Sequence, residues 1–129
     1  MREPYLGYIV QGRKTIESRF SINRVAPYGR VAPGDVLLLK GVSSPVKAVA
    51  MVDEVLQYRV NEATLLSIRE RYADEICAPA DFYRDKAAAS YATLMHIVHV
   101  CEIEPLNVEK HDRRGWVVVL DRDEQLSLL

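Results

Sequence analysis

The segment that most constrains the fold is residues 12–19, which read Gly-Arg-Lys-Thr-Ile-Glu-Ser-Arg. The eight residues before it carry apolar side chains at the spacing of one short helix, namely Tyr5, Tyr8 and Ile9. Gly12 is suited to end that helix, because glycine enters the left-handed backbone region without a Cβ penalty. Residues 15–20 are β-branched and alternating, which predicts a strand. The chain therefore turns from helix to strand at one sharply defined place.

Three charged side chains follow this turn within six residues: Lys14, Glu17 and Arg19. On the predicted strand, Glu17 and Arg19 share a face because they are two residues apart, whereas Lys14 lies near the turn. An ammonium and a guanidinium beside one carboxylate suit an anion or the polar edge of a base, and the carboxylate either tunes the cations or accepts a proton. The alternative is a solvated strand edge with a surface ion pair of little energetic value. A lysine beside a turn carries little packing, so we also expect Lys14→Ala to leave the fold stable.

The four positions Gly12, Lys14, Glu17 and Arg19, after a short helix, resemble the signature G-x-K-x-x-E-x-R of the ASCH domain, a branch of the PUA-like superfamily. Residues 31–36, Val-Ala-Pro-Gly-Asp-Val, resemble the start of a strand in that family. Gly115-Trp116 and the valines after them resemble its closing strand.

The resemblance covers nearly the whole chain and implies a single domain over residues 1–129. It implies an α+β fold, a PUA-like small β-barrel with flanking short helices, and a cleft where the signature residues meet. Its ligand would be RNA or a modified nucleoside. Relatives usually have a short apolar strand before the helix, which is missing here or lies upstream of Met1. We expect the barrel to be open at that edge, where a second copy could pair as a homodimer.

Composition is that of an ordinary globular chain of 129 residues, with 49% hydrophobic and 27% charged residues. The sequence has no run of eighteen apolar residues and no charged-then-apolar leader, which predicts a cytoplasmic protein with no membrane partner.

The formal net charge is -1, which argues against nucleic-acid binding by bulk electrostatics. Residues 1–50, however, carry eight Lys and Arg against three Asp and Glu, while residues 51–129 carry nine against fifteen. A positive cleft on an acidic body is one outcome, and folding that mixes the two halves is the other.

The cysteine and histidine positions give no sign of a metal or a cofactor. Cys77 and Cys101 have no ligand partner at short spacing, and we expect two free, buried thiols. His96 and His99 fall on opposite faces of a predicted strand over residues 91–103, so they do not form one site.

A long connection over residues 20–34 has no clear period and contains two prolines and two glycines. Loops of this length in a compact domain are uncommon and are often functional. Arg24 and Arg30 supply two guanidinium groups for phosphates, and Tyr28 supplies a ring on which a base can stack. We interpret the segment as a flap over the cleft, with a solvated loop as the alternative.

The remaining elements are predicted as strands over residues 35–40 and 46–55, a helix from Glu62 to Tyr72, a short helix over residues 82–89, and a last strand over residues 114–120. Asn61 is the expected N-cap of the longer helix. Ser90 follows the short helix at a junction with the next strand, and the resemblance places that junction near the signature cleft. The alternative is a serine that bonds its own backbone.

Three functions follow from these residues. In an RNA-binding module, Glu17, Arg19 and Tyr28 would hold a base, and the phosphates would lie on arginines, namely Arg13, Arg24 and Arg30. In a metal-independent ribonuclease, Lys14 would stabilise charge on the scissile phosphate. Proton transfer would then use three candidate groups, Tyr8, Glu17 and Ser90.

The third function is an amidohydrolase on an acylated nucleoside such as N4-acetylcytidine. The deacetylating branch that this signature resembles has threonine at the position of Glu17, and the nearby Thr15 points away from a strand-facing lysine. Because of this departure, we rank the amidohydrolase below RNA binding and RNA cleavage. A non-catalytic regulatory or interaction module is a further alternative, which the absence of a basic cleft would favour.

Overall fold

Short helices pack on both faces of one antiparallel sheet in the computed structural model, which describes residues 5–40, 45–107 and, as backbone, 117–119. Its elements in chain order are α1 (Tyr5–Val10), β1 (Ile16–Ser21), β2 (Val36–Lys40), β3 (Val46–Arg59), α2 (Glu62–Ile76), α3 (Ala80–Asp85), β4 (Tyr91–Leu106) and β5 (Val117–Val119). The sheet has the order β1-β4-β3-β2-β5 and curls into a half-barrel. The expected α+β architecture is therefore confirmed.

The two faces of the sheet belong to different cores. Glu17 of β1 lies directly opposite Met95 of β4, and residues opposite each other in an antiparallel pair share a face. We call this face the α1 face, because α1 and the long loop cover it. Its buried core consists of Leu6, Ile9, Val31, Leu37, Leu39, Ala48, Ala50, Val52, Met95 and Ile97.

The other face, the α2 face, packs against α2 and α3. Its buried core consists of Ile16, Ile68, Ile76, Tyr83, Ala92 and Leu94. Because side chains alternate along a strand, β1 sends Ile16 to this face and Glu17 to the α1 face. The strand thus places its carboxylate inside the domain.

Three elements, β3, α2 and β4, extend beyond their predicted ends because tertiary contacts override local pattern. β4 continues past residue 103 to Leu106. β3 continues past residue 55 to Arg59, since residues 56–59 pair with the first residues of β4. α2 continues to Ile76 and ends at Cys77, which adopts the left-handed region at φ 59° and donates its backbone N–H to Ala73 O. The predicted N-cap is confirmed: Asn61 accepts a hydrogen bond from Thr64 N at 2.8 Å.

The positions of the cysteines and histidines agree with the sequence predictions only in part. Both thiols are free, but Cys101 is exposed, so the prediction that it is buried is wrong. The reason is a register shift in β4, where His99 has φ 55° and breaks the alternation of faces. His96 lies on the α2 face, and its Nδ1 is 3.5 Å from Asp53 Oδ2.

The strand order shows which strand lies at the edge of the sheet that was predicted to be open. β1 pairs only with β4 within the part of the chain that the structure describes, so β1 is an edge strand there. A homodimer through this edge stays a prediction. Residues 114–116 and 120 of the last predicted strand, Trp116 included, lie outside the described residues. None of the helices described is long and apolar enough to cross a bilayer.

Candidate functional site

The turn after α1 is closed by its own backbone. Gly12 has φ 79°, the left-handed conformation expected for the residue that ends the helix. The N–H of Gly12 donates to Ile9 O at 3.0 Å. The N–H groups of Arg13 and Lys14 donate to Tyr8 O at 2.8 and 3.0 Å. These bonds fix the direction in which the chain leaves the helix.

The same turn is held against the end of α2. Thr15 N donates to Glu75 O at 3.0 Å, and the ammonium Nζ of Lys14 donates to Ile76 O at 2.6 Å. The last carbonyls of a helix have no partner within the helix and carry partial negative charge. Lys14 therefore supplies both a donor and a positive charge to the end of α2, from 62 residues away in sequence.

Lys14 is buried, with 5% of its surface exposed. Burial lowers the pKa of its ammonium, while the nearby charge of Glu17 acts in the opposite direction. This arrangement overturns our expectation that Lys14 carries little packing. Its side chain contributes to the contact between the turn and α2, so Lys14→Ala will not be neutral for stability.

Glu17 is still more enclosed, with 3% of its surface exposed. Burial raises the pKa of its carboxyl, and the positive charges of Lys14 and Arg19 lower it by less. Its Oε2 has no hydrogen-bond partner among the described residues. A buried acceptor of this kind is costly to the fold, which marks Glu17 as a candidate for a role other than packing.

A groove of about 700 Å³ lies beside this pair, a volume in the usual range of ligand sites. Its walls come from α1, the turn and the end of α2: Tyr5, Tyr8, Arg13, Ala73, Asp74, Cys77, Ala78 and Pro79. Lys14 and Glu17 do not line it. The Nζ of Lys14 lies 5.6 Å from the ring centroid of Tyr5, so its charge is one side chain behind the wall.

Aromatic rings and a guanidinium form one side of this groove. Tyr5 and Tyr8 meet edge to face, with ring centroids 6.4 Å apart. The guanidinium carbon of Arg13 lies 4.1 Å from the ring centroid of Tyr8. Arg13 is exposed and forms no ion pair with a carboxylate of the described residues. The groove therefore presents a cation and flat rings to a ligand.

The structure brings only some of the predicted site residues together. Tyr8, Arg13, Lys14 and Glu17 cluster at the start of β1, and half-buried Arg19 follows Glu17 on the α1 face. The exposed Ser90 lies at the far end of β1, where its N–H donates to Ser21 O at 2.9 Å. The cause is the antiparallel pairing, which sets the start of β4 opposite the end of β1. The long loop with Arg24, Tyr28 and Arg30 also contacts that far end.

Six of the eight groove residues are not predicted from the sequence: Tyr5, Ala73, Asp74, Cys77, Ala78 and Pro79. Tyr5 fits only the helix pattern, and Asp74 and Cys77 are about sixty positions from the signature, with no local motif to link them.

A second cavity of about 220 Å³ lies on the α2 face. It contains none of the predicted site residues. Among the described residues, no group of three His, Cys, Asp or Glu side chains is placed to hold a metal ion.

Comparison with solved structures identifies the fold as that of an ASCH domain. A tyrosine-to-phenylalanine variant of an ASCH protein from Zymomonas mobilis superposes with a TM-score of 0.73 at 19% identity, over 99% of this chain and 91% of that chain. The crystal structure of ASCH from that organism gives 0.71 at 20% identity, over 99% and 89%. A serine-to-alanine variant gives 0.72 at 20% identity over the same shares. No protein-family model and no curated protein matches the sequence.

We expect Lys14→Ala to lower the free energy of unfolding by about 1 to 3 kcal/mol, because it leaves the buried carbonyl of Ile76 without this donor. Urea denaturation measures the change. Lys47→Ala is the matched control, since Lys47 is an exposed lysine of β3. Equal stability of Lys14→Ala and the wild type would show that the bond to Ile76 is not formed in solution.

Glu17→Gln should stabilise the protein in a pH-dependent way. The pKa of Glu17 is raised above its ordinary value of 4.5 in the folded state. The folded protein therefore has its full stability with respect to Glu17 below pH 4.5, where the carboxyl is neutral. This contribution is lost as the pH rises through the raised pKa. Glutamine stays neutral throughout.

We expect the melting temperature of Glu17→Gln, relative to the wild type, to rise between acid pH and about pH 8. Thermal unfolding at a series of pH values tests this, with Glu70→Gln on the exposed side of α2 as control. A difference that stays constant with pH, or grows toward acid pH, would show that the pKa of Glu17 is not raised.

Proposed function

We propose, from the ASCH domain fold and the groove beside Lys14, that this protein binds single-stranded RNA in the groove and cleaves it there without a metal ion. The observation that carries the proposal is the contact of Arg13 with Tyr8 at 4.1 Å on the groove wall, with the ammonium of Lys14 behind it. Guanidinium groups bind phosphate, and aromatic or guanidinium planes stack on unpaired bases.

Lys14 would act on the ligand through its electric field. Its ammonium is buried, so water screens its charge less than that of an exposed lysine. Glu17 offsets part of this charge when it is ionised. The pair would set the potential of the groove without touching the RNA, and its members are positioning residues in this proposal.

Cleavage would proceed by attack of the ribose 2′-oxygen on the adjacent phosphorus. A bond forms between the 2′-oxygen and phosphorus, the bond from phosphorus to the 5′-oxygen breaks, and the products are a 2′,3′-cyclic phosphate and a 5′-hydroxyl. The proton of the 2′-hydroxyl must pass to a base, and the leaving 5′-oxygen must gain a proton.

Two groove residues suit these transfers. Asp74 is the carboxylate that lines the groove, so we assign it the proton of the 2′-hydroxyl in place of the enclosed Glu17. Tyr8 supplies a phenolic proton to the leaving oxygen. Arg13 would hold the phosphate and stabilise its developing charge.

Tyr8→Phe and Asp74→Asn should each slow cleavage by about 10²-fold or more and leave RNA binding largely intact, because they remove proton transfer and keep the groove shape. The assay is incubation with a short unstructured RNA in EDTA, resolved on a denaturing gel, with the cyclic phosphate identified by mass. Tyr72→Phe, on the α2 face, is the control. The DNA of the same sequence should stay intact, since it lacks the 2′-hydroxyl.

RNA that binds but stays intact with the wild type would contradict the cleavage step. Absence of binding at low salt would contradict the function as a whole. Hydrolysis of N4-acetylcytidine under the same conditions, with RNA intact, would instead support an amidohydrolase.

A further inference from the structure

A second cluster of arginines and tyrosines lies at the other end of β1, away from the groove. It joins the long loop to the ends of two strands and consists of Arg24, Tyr28, Arg59 and Tyr91. We call it the ladder, because its side chains follow one another in contact. Arg59 and Tyr91 lie directly opposite each other on β3 and β4.

The ladder has a guanidinium group at each end and two rings between them. The guanidinium carbon of Arg24 lies 5.5 Å from the ring centroid of Tyr28. The rings of Tyr28 and Tyr91 are 4.9 Å apart between centroids, at an angle of 64°. The guanidinium carbon of Arg59 lies 5.7 Å from the ring centroid of Tyr91.

The loop that carries half of the ladder is fixed to the sheet. The N–H of Gly29 donates to the side-chain oxygen of Gln57. Val31, two residues later, is buried in the core of the α1 face. These contacts anchor the loop, so a ligand at the ladder meets groups that are already in place.

The charge of this region is not compensated within the described residues. Arg24, Arg30 and Arg59 are exposed, and none of them forms an ion pair with a carboxylate there. Beside them, Ile22 and Val25 of the loop are 67% and 44% exposed. Exposed guanidinium groups beside rings and apolar side chains suit a phosphate chain with unstacked bases.

The two clusters are separated by the length of β1. Seven residues from Lys14 to Ser21, at about 3.3 Å per residue, give roughly 23 Å. Ser21 lies opposite Tyr91, and so marks the ladder end. A nucleoside or a mononucleotide is too small to reach from the groove to the ladder.

We infer that the ligand is an RNA single strand that lies along β1, with one segment in the groove and another on the ladder. This inference rests on the proposed function and adds to it a second binding site for the same strand. Arg24, Arg59 and the two ladder tyrosines are binding residues that take no part in the chemistry. The ladder therefore contributes affinity, and the groove contributes cleavage.

The test uses the double variant Arg24→Ala/Arg59→Ala and labelled 2′-O-methyl oligonucleotides, which cannot be cleaved through the 2′-oxygen. A dinucleotide is too short to span the roughly 23 Å between the groove and the ladder. A length of about 16 nucleotides is at the upper end of single-strand sites. Fluorescence anisotropy over a series of salt concentrations gives affinity and salt slope. Arg71→Ala, which removes an exposed arginine of α2, is the control.

For the longer oligonucleotide we expect the double variant to bind about 5- to 100-fold more weakly than the wild type. The slope of log affinity against log salt should fall in magnitude by about 1.4, for two lost phosphate contacts. The shorter oligonucleotide, which reaches only the groove, should bind the double variant and the wild type alike.

Equal affinity of the double variant and the wild type for the longer oligonucleotide would overturn the inference and leave the proposed function standing. An equal loss with Arg71→Ala would also overturn it, because the effect would then be one of net charge. Wild-type protein that binds neither length would overturn the proposed function, and with it this inference.

Discussion

The hydrogen bond from Lys14 to the carbonyl of Ile76 is the contact on which the rest of the site depends. It joins the turn after α1 to the end of α2, two segments that are far apart in sequence. Together with the backbone bond from Thr15 N to Glu75 O, it ties the walls of the groove to each other. The bond also explains why a lysine is suited to this position: it needs a long apolar stem to cross the core and a cation to meet the end of a helix.

Burial of the Glu17 carboxylate near this lysine lowers the stability of the fold. Desolvation of the carboxyl outweighs the attraction of Lys14 and Arg19, since the pKa of Glu17 is raised. An apolar residue at this position of β1, opposite Met95, would pack without that cost. Charged groups held at the expense of stability are typical of sites in which the charge has a use. In the proposed function, the charge of Lys14 acts on the groove beside it, where Arg13 lies on Tyr8.

Local features were predictable where the cause is local. The left-handed Gly12, the N-cap Asn61 and the strand that carries Glu17 all follow from nearby residues, and the ASCH resemblance supplied the fold that structures at 19–20% identity confirm. The burial of Lys14 was not predictable in this way, because it depends on where α2 ends. The helix ends at Cys77 in the left-handed region, a position usually taken by glycine, so the sequence does not indicate the end. Asp74 and Cys77 reach the groove for the same reason, and the position of Ser90 follows from strand pairing.

Binding of RNA where α1 meets the end of α2 is tested most directly by amide chemical-shift mapping by NMR. Titration of the protein with an uncleavable single-stranded RNA should shift the amides of residues 5–14 and 73–79 together, because one ligand contacts both walls. Shifts confined to the exposed side of α2 or to the second cavity, with these two segments unchanged, would contradict it.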